Sequence, residues 1–121
     1  MKFDVEVVLK GRDFAVTETV VIAPGSPTTW NEQSVYEVLV EVLRAIDRAQ
    51  NPKAPRDRAV SLTGFSWIVE PSEGQSIIAI EIPMGAAVAG PFEIDQSALD
   101  KLITSVIRME RMKASAGTTV H

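Results

Sequence analysis

The chain has 121 residues, 45% of them apolar, with one histidine, no cysteine and a formal net charge of −4. That is the length of one domain, and roughly two-thirds of its unfolded surface can be buried on folding. The missing cysteines exclude disulfides and thiolate or Cys-ligated zinc chemistry, and the acidic balance argues against a phosphate-neutralising nucleic-acid surface.

Acidic residues Asp4 and Glu6 interrupt any secretory h-region, and no apolar run approaches a membrane span. A cytoplasmic protein with no membrane partner is the expectation. Phe3, Val5, Val7 and Leu9 alternate with Lys2, Asp4, Glu6 and Lys10, the period-two pattern of a half-buried strand. Gly11-Arg12 is expected to be a two-residue type II′ hairpin turn. A second strand follows from about Asp13 to Ala23, with Phe14, Val16, Val20 and Ile22 on one face and Glu18 among them. Ala15, Thr17, Thr19 and Val21 form its other face.

Pro24-Gly25-Ser26-Pro27 stops that strand. Thr29 and Glu32 have capping-box spacing, and a helix is expected to follow as far as Gln50. Val35, Leu39, Val42, Ile46 and Ala49 form its core stripe. Tyr36, Val40 and Leu43 add a second stripe, more than a helix lying on one sheet needs. The loop from Asn51 to Arg58 carries Lys53, Arg56 and Arg58, a weak candidate for meeting an anion or an acidic partner.

A third strand is expected over Val60 to Glu70, with Thr63, Phe65, Trp67 and Val69 facing the helices and Leu62 and Ile68 facing outward. Pro71 to Gly74 forms a turn, and a fourth strand covers Gln75 to Pro83, with Ile77, Ala79 and Glu81 opposite Ile78, Ile80 and Ile82. Met84 to Pro91 consists of small residues and reads as a connector. Asp95 or Ser97 caps a last helix that ends near Met112, and Ala114 to His121 is expected to be a flexible tail.

The expected fold is α+β in the order ββαββα, a four-stranded mainly antiparallel sheet with two helices on one face. Residues 1–113 form one domain. Matches at an offset of 63, such as Gln33-Ser34 with Gln96-Ser97 and Gly11 with Gly74, suggest an internal ββα duplication with halves 1–50 and 60–113.

No pattern identifies a catalytic site, a metal site or a cofactor. The one histidine, His121, is the last residue, without positioned partners for acid–base work. Glu37 and Glu41 lie on the helix's polar side, while Glu18 and Glu81 each interrupt an apolar stretch. Two functional classes remain. One is a non-enzymatic protein-binding or assembly module acting as a homodimer, with an interface from Tyr36, Val40 and Leu43 or from Val21 and Ile77, and with room for a peptide or protein partner. The other is a small-molecule-binding domain or minor enzyme with a pocket near Trp30, Gly85 and Gly90.

Overall fold

The computed structural model describes residues 1–23, 29–55 and 59–119, with 114–119 described as backbone. Seven elements follow one another: β1 (Lys2–Leu9), β2 (Ala15–Val21), α1 (Glu32–Gln50), β3 (Ser66–Ser72), β4 (Gln75–Ile82), β5 (Gly85–Phe92) and α2 (Gln96–Thr119). The fold is α+β, as the alternation of strand and helix patterns predicts. The order is ββαβββα, however, with five strands in place of four.

All four strand pairings are antiparallel, in the lateral order β2-β1-β5-β4-β3. The segment expected to be a connector, Met84 to Pro91, is almost entirely β5, the central strand. Its small residues suit that place. Ala87 and Ala89 are fully buried between Val7 and Val5 of β1 on one side and Ile80 and Ile78 of β4 on the other. The large side chains come from the flanking strands, and alanines beneath the helices leave them room. Gly85 pairs with Leu9, and a Cβ on it would stand 2.4 Å from the Val8 carbonyl oxygen.

The inner face of the sheet follows the period-two reading. Phe3, Val5, Val7 and Leu9 of β1, Val20 of β2, Val69 of β3 and Ile78 and Ile80 of β4 are buried in one cluster with Val35, Leu39, Val42 and Ile46 of α1 and Leu99, Ile103 and Val106 of α2. α1 packs on β1, β5 and β2, and α2 packs on β3 and β4 and against α1.

Local details depart from expectation in physically simple ways. Arg12 N–H donates to Leu9 C=O (3.1 Å) with Gly11 at φ +84°, so Leu9 to Arg12 is a type II turn with Gly third, and pairing resumes only at Ala15. Phe14 is exposed in this longer connection. The first helix is capped by Asn31 rather than Thr29: Asn31 Oδ1 accepts from Ser34 N–H (2.9 Å), and Ser34 Oγ accepts from Asn31 N–H (3.0 Å). β3 starts at Ser66 instead of Val60, and Leu62, expected on the outer face, is buried in the approach to it. The turn before β4 shrinks to Glu73-Gly74, both at positive φ, which is the type I′ arrangement that matches strand twist. Pro71 therefore lies inside β3, tolerated because β3 is an edge strand.

Asp95 caps α2, its carboxylate accepting from the N–H groups of Ser97 and Ala98. The helical backbone continues through Thr119, past the expected end at Met112. His121 and the stop at Pro24 to Pro27 lie outside the described residues.

The two ββα halves are not equivalent in the sheet. An offset of 63 equates β1 with β3, yet β1 is an interior strand and β3 an edge.

Candidate protein-binding face

With both helices on one side, the other face of the sheet is covered by no element among the described residues. Strand register defines what it displays. One lateral row reads Thr17, Glu6, Val88, Ala79, Ile68 across β2, β1, β5, β4 and β3. The next row reads Ala15, Val8, Ala86, Glu81, Ser66. On the other side lie Thr19, Asp4 and Gly90, then Ile77 and Glu70 beyond a bulge in β4.

An uncovered antiparallel face is ordinarily polar. Here Ile68 is 54% exposed, Val21 53%, Val8 46% and Val88 43%, and Ile77, Ala79 and Ala86 are half-buried beside them. Val8, Val88, Ala86, Ala79, Ile77 and Ile68 adjoin across neighbouring strands and form one apolar area, of the kind that marks interaction surfaces, while Val21 stands apart on edge strand β2 opposite Lys2.

The second stripe of α1 behaves differently. Leu43 is buried, Val40 is half-buried against the core, and only Tyr36 reaches the surface, at 37%. α2 lies alongside and covers this flank from within the chain. Of the two surfaces expected for an interface, the one holding Val21 and Ile77 is therefore open. The one holding Tyr36, Val40 and Leu43 is largely closed.

The candidate pocket divides as well. Trp30 and Gly90 line one cleft of about 580 Å³, together with Lys2, Phe3, Asp4, Gln75 and Phe92. Trp30 meets Phe92 edge-on at 5.7 Å, and Phe92 meets Phe3 at 5.0 Å, so the aromatic surface is largely engaged in packing. The charged lining groups Lys2, Asp4 and Glu93 are all exposed. Gly85 is at the opposite end of β5, beside Ile82 and Leu9.

Lys53 is exposed, whereas Arg56 and Arg58 lie outside the described residues. Glu18 points to the helix side and pairs with Arg48 of α1, Arg48 Nε donating at 3.0 Å. That contact accounts for a carboxylate on an otherwise apolar face. Glu81 is exposed on the outer face. Among the described residues, no group of three or more His, Asp or Glu side chains is placed to hold a metal ion. No helix among them is long and apolar enough to cross a membrane.

Compared with protein-family models, curated proteins and solved structures, the chain matches none.

Proposed function

We propose that this chain is a non-enzymatic protein-binding or assembly module whose working surface is the outer face of the sheet. The observation that carries the reading is the apolar area running from Val8 through Val88 and Ala79 to Ile68 on a face that no helix covers. Ile77 extends it toward the opposite end of the strands, and Val21 lies exposed on the same face at edge strand β2. A cytoplasmic location suits such a module. The cleft beside Trp30 supports a small-molecule reading less well, because its polar groups lie at the surface rather than converging in a buried pocket.

The test pairs a mass measurement with a peptide selection against the immobilised chain. Selected peptides should protect amides of β4 and β5 from hydrogen exchange, or the chain alone should be a dimer. In either case Ile68→Asp should abolish the association while leaving the fold intact. Val40→Asp should instead lower the melting temperature, since Val40 packs against the core. A monomer whose selected peptides all map to the Trp30 cleft, or that selects none, would sink the reading.

A further inference from the structure

Along β5 and β4 the outer face is apolar over about the width of one helix, and the strands on either side carry carboxylates beside Val8 and Ile68. Its floor is Ala86 and Val88 of β5 with Ile77 and Ala79 of β4, and Gly90 continues the β5 side. Beyond this floor stand Asp4 and Glu6 of β1 on one side and Glu70 of β3 on the other, with Glu81 at one end. β1 and β3 are separated by two strands, so these flanking acids are about 14 Å apart at the usual strand spacing. An α-helix with its side chains is about 10–12 Å across.

We propose that the occupant of this face is an amphipathic α-helix of another protein, with Lys or Arg on both sides of its apolar stripe. The inference rests on the outer face being the working surface. Such a helix lies along β5 and β4. The small side chains at Ala79, Ala86 and Gly90 let it approach closely, and Val88, Ile77 and Ile68 pack into its stripe. Its basic flanks then reach Asp4 and Glu6 on one side and Glu70 on the other, and Glu81 meets a basic residue at one end.

The charges select this partner over two others. Among the described residues Glu6, Glu70 and Glu81 have no ion-pair partner, and Asp4 only accepts a hydrogen bond from Thr19 Oγ1 at 2.7 Å. Among the described residues, Lys2 is the one cation that the paired strand positions place on this face. A second copy of the chain would bring the same acidic excess and would bury Glu6, one strand from the centre, against another apolar face. Desolvating an unmatched carboxylate opposes that association. A nucleic acid would place phosphates against the same carboxylates.

The experiment uses the full chain and three labelled peptides that share one Leu/Ala stripe and differ only in flanking residues, being Lys/Arg, Gln or Glu. Anisotropy titrations should give the basic peptide an affinity about tenfold above the Gln peptide, equivalent to ~1.4 kcal/mol. The Glu peptide should bind weakest, and the basic advantage should shrink as salt rises. Replacing Glu6→Gln together with Glu70→Gln should bring the basic peptide down to the Gln peptide's affinity with the melting temperature unchanged. Equal binding of all three peptides, lost in Ile68→Asp, would overturn the inference and leave the outer-face reading standing. So would a dimer that Ile68→Asp dissociates, with the second copy then the occupant. Peptide binding indifferent to Ile68→Asp, or no binding by a monomer, would overturn both.

Discussion

At the scale of single residues, the positions that depart from pattern turn out to hold the elements together. Glu18 reaches across to Arg48 and fastens the edge strand β2 to the last turn of α1. Arg12, in the connection before β2, donates to Ala49 C=O at 3.2 Å and occupies one of the carbonyls left free at that helix end. Among the described glycines, Gly85 has the least room. Its backbone lies so close to β1 that any Cβ would meet the Val8 carbonyl oxygen. Neither neighbour is a flexible side-chain end, so β5 must shift off β1 to make room. Gly85→Ala is therefore expected to cost about 1–3 kcal/mol in urea unfolding. An unchanged midpoint would mean that β1 and β5 are less closely paired than described.

At the scale of elements, the strongly patterned segments were legible and the small-residue segment was not. β1 and α1 carry large side chains at the periods of strand and helix, and their buried faces match those periods. β5 is mostly Ala, Gly and Pro, whose poor strand propensity hid it. The signal available was positional. Ala87, Ala89 and Phe92 fall on the buried side of an eight-residue stretch that begins straight after Pro83-Met84. The capping of α1 shows a second limit. Thr29 and Glu32 have the right spacing, but Asn31 and Ser34 supply the reciprocal bonds two residues later. Asn31→Ala should lower stability by about 1 kcal/mol by thermal unfolding, whereas Thr29→Ala should stay within about 0.5 kcal/mol. The reverse order would restore Thr29 as the cap.

At the scale of the whole molecule, the decisive pairing is β1 with β5, which joins the chain's first strand to its last. It makes the sheet continuous and leaves neither half complete. Without β1, β5 would be an exposed edge, and α1 would no longer shelter α2's flank. A fragment of residues 60–113 is therefore expected to give a coil-like circular dichroism spectrum. A folded fragment would make the second half an autonomous unit, in keeping with the duplication that the matched glutamines, serines and glycines suggest.

The sequence by itself determined the α+β class, the two helices, and the inward faces of β1, β4 and α1. Each of these depends on side chains within one element, whose period is written along the chain. Only the tertiary structure decided that five strands form the sheet, that β5 is its centre, that α2 packs against α1 while Val40 and Leu43 are drawn into the core, and that Val8, Val88, Ala79 and Ile68 meet on one open face. Those facts depend on which strands become neighbours, and lateral pairing across some eighty residues leaves no local period to be read.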